Sequence, residues 1–181
     1  RLLSEFLDFS RVRVTRAAAV DLVAIAEHGI QLVRQHPDCP ADAEIALVAP
    51  ERPVRVEGDQ DLLHRVVSNL VLNAVQAASG VPRVSVEVRV PGSGDLPPSV
   101  VLESPRLLVV RDQGPGISAE IQGRLFEPFV TSRIGGTGLG LPIVQRAVQA
   151  HRGLIFCDTE KGKGTAFSVF LPSRLSAEEA V

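Results

Sequence analysis

Apolar residues recur every three or four positions in four stretches of the chain, which is the spacing of amphipathic helices. These stretches are residues 1–12, 17–35, 59–79 and 139–151. The third pattern is the strongest, with Asp59 as a predicted N-cap and Gly80 as a predicted stop. The first is short for an independent helix, so we expect it to continue a helix that begins upstream of Arg1.

Shorter apolar runs predict strands at residues 44–48, 54–57, 84–90, 100–110, 154–157 and 165–171. The run 84–90 alternates without a break, as half-buried antiparallel strands do. The loop 91–98 would join it to the next strand as a long hairpin, and a turn at 161–164 would join the last two strands. Helices and strands come in blocks and not in strict βαβ alternation. The predicted fold class is therefore α+β, a two-layer α/β sandwich whose mixed, mostly antiparallel sheet is covered on one face by helices.

Composition narrows the function classes. The chain is 45% hydrophobic, which predicts a folded core, yet no apolar run approaches the ~20 residues of a membrane span, and no secretory signal opens it. A net charge of -2 gives no electrostatic basis for binding nucleic acid. Two distant cysteines, Cys39 and Cys157, indicate neither a metal site nor a disulfide framework, which favours a cytoplasmic location. The chain contains no methionine, so we expect it to be a piece of a longer protein.

Two asparagines interrupt the predicted helix 59–79. Asn69 and Asn73 are four residues apart, so their side chains lie on adjacent turns. Asn73 falls at the edge of the apolar face, where we expect partial burial. A buried amide needs a polar partner. The pair therefore either binds a ligand or consists of solvated surface amides.

Three glycine-rich turns carry the remaining candidate chemistry. Asp112 is the first residue of the segment DQGPG, which directly follows a predicted strand. The glycines let the backbone come close to a ligand beside this carboxylate, and the alternative is a plain surface turn. The segment 135–141, GGTGLGL, leads into a predicted helix, and its N–H groups suit phosphate, with a flexible loop as the alternative. It is neither a Walker loop nor a dinucleotide fingerprint. The segment 162–165, GKGT, reads locally as a hairpin turn.

In this order, the segments 69–74, 112–116, 136–141 and 162–165 resemble the N, G1, G2 and G3 boxes of the histidine-kinase branch of the Bergerat-fold ATPases. Residues 125–129, LFEPF, resemble the F box, whose phenylalanines anchor the base of the ATP lid. The resemblance implies the Bergerat ATP-binding fold. It also implies three parts: the end of a dimerisation and phosphotransfer helix with its linker (1–15), the catalytic ATP-binding domain (16–173) and a C-terminal tail (174–181).

The resemblance implies roles for the matching residues. Asp112 would accept a hydrogen bond from the adenine amino group, Asn73 would offer its side-chain oxygen to Mg²⁺, and Asn69 would hold phosphates or the waters of the metal. Arg133 in the lid would face the γ-phosphate and, with Asn69, is an expected catalytic residue. Thr165 would lie near the adenine. The full expected ATP-binding set is Asn69, Asn73, Asp112, Gly114, Gly116, Ile117, Thr131, Arg133, Gly136, Thr137, Gly138, Leu139, Gly140, Leu141 and Thr165.

The resemblance also indicates a reaction. Relatives of the gyrase, Hsp90 and mismatch-repair type hydrolyse ATP with a glutamate base at the position of Asn69, so the asparagine favours a kinase. The expected reaction transfers the γ-phosphoryl group of Mg-ATP to a histidine upstream of Arg1. A non-catalytic ATP sensor or interaction module is the alternative, and a hydrolytic ATPase is less favoured. The short lid, Gln76 and Ala77 resemble the nitrogen-regulation type of sensor kinase.

The expected partners follow from the same resemblance. They are ATP, the phosphotransfer and dimerisation domain of the same protein, and the receiver domain of a response regulator, with no nucleic acid. The parent is expected to be a cytoplasmic or membrane-anchored homodimer, and this chain to be monomeric. None of the four histidines lies in a segment like the phosphoacceptor motif of the family, so we interpret His28, His36, His64 and His151 as structural or surface residues.

Overall fold

The computed structural model describes residues 9–131 and 136–175. In this part, Phe9 and Ser10 are helical, and the helices that follow are α1 (Leu22–Arg34), α2 (Gln60–Ala77), α3 (Ala119–Gln122) and α4 (Gly140–Ala150). The strands are β1 (Ala17–Asp21), β2 (Glu44–Val48), β3 (Arg55–Asp59), β4 (Arg83–Arg89), β5 (Arg106–Asp112), β6 (Leu154–Glu160) and β7 (Gly164–Leu171). Most of the predicted helix 1–12 and residues 176–181 of the predicted tail lie outside the described residues. Among the described helices, none has the length and apolar character needed to cross a membrane.

Five strands form one mixed sheet in the order β2-β4-β5-β7-β6. β2 runs parallel to β4, and the other neighbours are antiparallel. α1 and α4 pack on α2, and the three helices cover one face of the sheet to form the main core. On the opposite face, Leu107, Val109 and Phe170 are buried, and Leu96 and Leu102 of the β4–β5 connection pack against them. The predicted two-layer α+β sandwich is confirmed, with this loop added to its outer face.

The segment that precedes α1 is a strand, although the helical spacing of residues 17–35 predicts one continuous helix. β1 pairs antiparallel with β3 in a separate two-stranded sheet, in which Val20 lies opposite Val56. Asp21 ends β1 and caps α1, because its Oδ1 accepts hydrogen bonds from the amides of Val23 and Val54 at 3.1 and 3.0 Å. The sequence AAAVD is compatible with helix or strand, so the pairing with distant β3 decided its conformation.

The predicted strand 100–110 begins later than its apolar run. Ser104 has a left-handed backbone with φ of 42°, and the proline that follows it has no N–H for a strand ladder. β5 therefore begins at Arg106, and residues 100–105 belong to the loop.

α2 is the central helix of the core. Asp59 is its N-cap, as predicted, because its Oδ1 accepts hydrogen bonds from the amides of Asp61 and Leu62 at 3.2 and 3.3 Å. The helix ends before Ala78, which takes an extended conformation with ψ of 139°. The predicted stop at Gly80 is therefore wrong by two residues. The buried face of α2 consists of Leu62, Leu63, Val66, Val67, Leu70, Val71, Ala74 and Val75.

A hydrogen-bond network joins the segment before β1 and the end of α4 to the start of α2. The carboxylate of Asp59 accepts hydrogen bonds through Oδ2 from the backbone and hydroxyl of Thr15 and from the backbone of Arg16. The N–H of Asp59 donates to Nε2 of His151 at 2.9 Å, while Nδ1 of His151 donates to the carbonyl of Ala147 at 2.7 Å. His151 is 1% exposed, and this pattern requires the neutral ring with its proton on Nδ1.

We expect the free energy of unfolding to decrease with acidification because of His151. Burial lowers its pKa below the ordinary 6.5, so the unfolded chain binds a proton that the folded chain resists. The stabilisation is present in full above the pKa that His151 has in the unfolded chain. It is lost as the pH falls below that value towards the lower pKa of His151 in the folded chain. In urea unfolding experiments on the wild type, the free energy of unfolding should fall by about 1 kcal/mol between about pH 7.5 and about pH 5.5 because of this residue.

The control for this prediction is His151→Gln, whose amide oxygen can still accept from Asp59 but does not titrate. It should be less stable near neutral pH and lose less stability on acidification. An equal acid loss in wild type and His151→Gln contradicts the interpretation.

Candidate functional site

A cleft of about 1400 Å³ lies between the second half of α2, the end of β5 and the segment that leads into α4. Most of the expected ATP-binding set lines it: Asn69, Asn73, Asp112, Gly116, Ile117, Thr131, Gly136, Thr137, Gly138, Gly140, Leu141 and Thr165. Leu139 is fully buried and does not line the cleft, and Gly114 lines a neighbouring recess that shares Asp112. Arg133 lies outside the described residues. Folding therefore brings together segments that are far apart in the sequence.

The two asparagines of α2 face the start of α4. Nδ2 of Asn69 donates to the carbonyl of Arg65 at 2.9 Å, which orients the amide and leaves its oxygen for other contacts. A Cβ placed on Gly140 would lie 3.3 Å from Oδ1 of Asn69, and 3.7 and 3.8 Å from Nδ2 and Oδ1 of Asn73. Both asparagines are half-buried, as expected for Asn73. Because residue 140 has no side chain, the N-terminus of α4 can approach both amides closely.

This arrangement fits a magnesium ion bound with phosphate. Amide oxygens are hard ligands of the kind that Mg²⁺ takes in proteins, usually together with phosphate oxygens. The first turn of α4 presents backbone N–H groups and the positive end of an 11-residue helix. Oxygen ligands and phosphate-binding groups thus meet at the contact between Gly140 and α2.

Asp112 lies at the other end of the cleft. Its Oδ1 accepts a hydrogen bond from the N–H of Gly114 at 2.8 Å. Burial raises the pKa of the carboxyl above its ordinary value, although hydrogen bonds from the backbones of Gly114 and Thr165 act to lower it. A Cβ on Gly114 would lie 2.8 Å from Oδ1 of Asp112 and 3.1 Å from the carbonyl of Ala77. The carboxylate is therefore oriented by its own turn and retains acceptor capacity for a ligand.

The turns after β5 and β6 are interlocked. The N–H of Gly162 donates to the carbonyl of Pro115 at 2.8 Å. Gly116 has φ of 76°, and a Cβ there would lie 2.5 Å from the carbonyl of Glu160. Gly164 has φ of 102°, and a Cβ there would overlap the carbonyl of Asp112. Glycines in both turns thus hold Asp112 against the β6–β7 hairpin.

Thr159 is a site residue that the sequence interpretation missed. Its hydroxyl accepts a hydrogen bond from the N–H of Ile117 at 2.9 Å and lies 3.0 Å from the hydroxyl of Thr165. It thereby joins the turn after Asp112 to the expected adenine-side threonine. The sequence carries no local signal for this role, because Thr159 is one of several polar residues in an exposed edge strand.

Backbone contacts hold Phe129 against the glycine-rich segment that leads into α4. The N–H of Phe129 donates to the carbonyl of Gly138 at 3.0 Å, and Gly138 has φ of 67°. A Cβ on Gly138 would lie 2.5 Å from the carbonyl carbon of Phe129. Leu125 is buried in the cleft wall. The segment 125–129 therefore contacts the glycine-rich segment directly.

Comparison with known proteins identifies relatives of this architecture. Residues 58–175 match the family described as "Histidine kinase-, DNA gyrase B-, and HSP90-like ATPase". The chain is 35% identical over 174 residues to the sensor histidine kinase ZraS of Klebsiella oxytoca, which covers 95% of this chain and 35% of the relative. It is 29% identical over 181 residues to the signal transduction histidine-protein kinase AtoS of Escherichia coli (strain K12), covering 100% of this chain and 28% of the relative. The chain thus spans about a third of the length of these relatives.

Solved structures share the fold. The mycobacterial sensor histidine kinase MprB gives a TM-score of 0.71 at 29% identity, over 89% of this chain and 100% of that chain. Full-length ShkA in complex with AMPPNP gives a TM-score of 0.77 at 25% identity, over 97% of this chain and 36% of that chain.

We expect Gly164→Ala to destabilise the fold by about 3 kcal/mol, because it adds an overlap with the Asp112 carbonyl to the strain of a left-handed backbone. The matched control is Gly162→Ala, two residues earlier in the same hairpin. Gly162 also has positive φ, of 81°, but a Cβ there has nothing within 4 Å, so about 1 kcal/mol of backbone strain is expected. Urea unfolding measures both, and equal losses would show that the contact with Asp112 does not restrict residue 164.

Proposed function

The chain belongs to the histidine kinase-, DNA gyrase B- and HSP90-like ATPase family as an ATP-binding catalytic domain of the histidine-kinase type, and we propose that it transfers the γ-phosphoryl group of ATP to a histidine of its parent protein. The observation that carries this proposal is the contact between the start of α4 and the amides of Asn69 and Asn73. It joins phosphate-binding N–H groups to oxygen ligands at one end of a cleft. The other end offers a carboxylate for the base.

We assign the base end of ATP to Asp112. Its half-buried carboxylate is an acceptor, and the adenine amino group is the donor of that base. The hydroxyl of Thr165, next to Thr159, supports a water-mediated contact at the same end. The N–H groups of Gly140 and Leu141 face the phosphates at the helix start.

We assign Mg²⁺ to the side-chain oxygen of Asn73, with Asn69 beside it. When bound, this ion neutralises phosphate charge and orients the group to be transferred. Asn69 is held by its hydrogen bond to the Arg65 carbonyl, and an amide cannot accept a proton as a general base. A hydrolase needs such a base to activate water, whereas a kinase receives its nucleophile from the acceptor domain. This difference supports transfer over hydrolysis.

The lid residue Arg133 lies outside the described residues, so its contact with the γ-phosphate stays a prediction from the sequence. The nitrogen-regulation subtype also stays a prediction. Thr131 and Thr137 line the cleft. We propose both as part of the ATP site, at the two ends of the lid.

We propose that residues 16–173 form the catalytic domain and that residues 1–15 lead into it from a phosphotransfer helix. Two contacts join this leading segment to the catalytic domain. The guanidinium of Arg146 lies 3.9 Å over the ring of Phe9 and donates to its carbonyl at 3.1 Å, and Thr15 donates to Asp59. The proposed partners are the phosphotransfer and dimerisation domain and a response-regulator receiver domain, with the parent a homodimer whose catalytic part is cytoplasmic.

We expect Asp112→Asn to weaken Mg-ATP binding about tenfold or more, because a buried charged acceptor is replaced by a neutral amide that also presents a donor to the adenine amino group. Isothermal titration of this chain with Mg-ATP measures the change. The matched control is Asp158→Asn, which removes an exposed carboxylate of β6 outside the cleft and should bind as the wild type does. If Mg-ATP does not bind the wild type, or Asp112→Asn binds equally well, the assignment of the base is wrong.

Transfer is tested by mixing this chain and radiolabelled Mg-ATP with the phosphotransfer domain of the parent. We expect label on a histidine of that domain, and Asn73→Ala should reduce it about a hundredfold by removing a magnesium ligand. Gln149→Ala, which removes an exposed amide of α4, is the control. Binding without labelled histidine, under conditions that support the full-length protein, favours the ATP-sensor alternative. Release of phosphate without an acceptor favours a hydrolase.

A further inference from the structure

Groups along α2 mark successive levels of the cleft. Asn69 and Asn73 contact Gly140 and mark the phosphate end, whereas Ala77 lies against Gly114 and Asp112 at the base end. In ATP the sugar lies between the phosphates and the base. A residue between Asn73 and Ala77 on the same face of α2 is therefore at the level of the sugar.

Gln76 occupies this level. It follows Asn69 by seven residues and Asn73 by three, which places all three side chains on one face of the helix. Gln76 and Ala77 both line the cleft. The side-chain amide of Gln76 does not act alone, because its Nε2 donates to Oδ2 of Asp38 at 2.6 Å.

Asp38 reaches the cleft from the segment that follows α1. It lines the cleft together with His36 and Pro40. Its N–H donates to Nδ1 of His36 at 3.1 Å, so the carboxylate is held from both its backbone and its side chain. Its side chain is 45% exposed, and one hydrogen bond from Gln76 uses only part of the acceptor capacity of a carboxylate. The remainder is available to a ligand.

Few hydrogen-bond donors of ATP are available to bind the carboxylate of Asp38. Mg-ATP offers hydrogen-bond donors on the adenine amino group and on the 2′ and 3′ hydroxyls, and its phosphates are acceptors that a carboxylate repels. The amino group is assigned to Asp112 at the far end. The two ribose hydroxyls are therefore the donors left for Asp38. Dinucleotide-binding folds also use a carboxylate that accepts a hydrogen bond from a ribose hydroxyl.

We propose that Asp38, positioned by Gln76, binds the ribose hydroxyls of ATP and makes the site selective for ribonucleotides over deoxyribonucleotides. This inference rests on the ATP binding proposed above and adds a specificity-determining residue from outside the sequence boxes. A matching sequence signal is absent, since Asp38 lies in a turn-rich HPDCP segment that by itself predicts only a loop.

The experiment compares Mg-ATP, Mg-2′-deoxyATP and Mg-3′-deoxyATP binding to this chain by isothermal titration. The wild type should bind at least one deoxy analogue about tenfold more weakly than ATP, as expected for loss of a hydrogen bond to a charged acceptor. Asp38→Ala should bind ATP about tenfold more weakly and no longer distinguish the three nucleotides. Asp38→Asn, which retains a carbonyl acceptor of the same shape, and Gln76→Ala, which removes the positioning contact to Asp38, should each retain part of the preference.

The matched control is Asp42→Ala, which removes an exposed charge four residues away outside the cleft and should keep the wild-type preference. Thermal unfolding of each variant checks that the fold is intact. Equal binding of all three nucleotides by the wild type, or an unchanged preference in Asp38→Ala, overturns this inference alone if ATP still binds. A loss in Asp38→Ala that depends on Mg²⁺ and not on the hydroxyls instead makes Asp38 a metal ligand. Absence of ATP binding overturns both proposals.

Discussion

Helix α4 lies antiparallel on α2 and is held at both ends, and this pairing determines the geometry of the site. At one end, His151 accepts a hydrogen bond from the backbone of Asp59. At the other, Gly140 contacts the amides of Asn69 and Asn73. The eleven residue steps from 140 to 151 span about 16 Å of helix, and the ten to fourteen steps from Asp59 to the asparagines span about 15–21 Å. The lengths agree, so the buried histidine helps to set the position of Gly140 beside the two asparagines, at the proposed phosphate end of the cleft.

The proposed base end of the cleft depends on a different constraint, which is close backbone contact. Gly114, Gly116 and Gly164 lie where a Cβ would meet Asp112, Glu160 or the carbonyl of Asp112. These contacts let two turns interlock and hold one carboxylate half-buried, where desolvation raises its pKa. The residues at this end are positioned by β-strands, whereas those at the proposed phosphate end are positioned by the packing of two helices. The two ends are connected through α2, which contributes to both.

Much of the fold followed from the sequence where the pattern is local and strong. The unbroken alternation of β4, the apolar face of α2 and its Asp59 cap all formed as predicted, since each depends on residues close in the chain. The predicted boundaries of the helices and strands were less accurate. The helical spacing of 17–21 did not prevent its pairing with β3, and a left-handed Ser104 delayed the start of the predicted strand 100–110.

By itself, the sequence determined which residue types stand at the site, because glycines ahead of a helix, an aspartate after a strand and paired asparagines carry chemical meaning in their local order. The tertiary structure alone decided which distant residues join them. Thr159 bonds to Ile117 across 42 positions, and Asp38 bonds to Gln76 across 38. Hydrogen bonds between strands and loops of such separation leave no periodicity in the chain. Their partners become neighbours only when the sheet and the helix pair have packed.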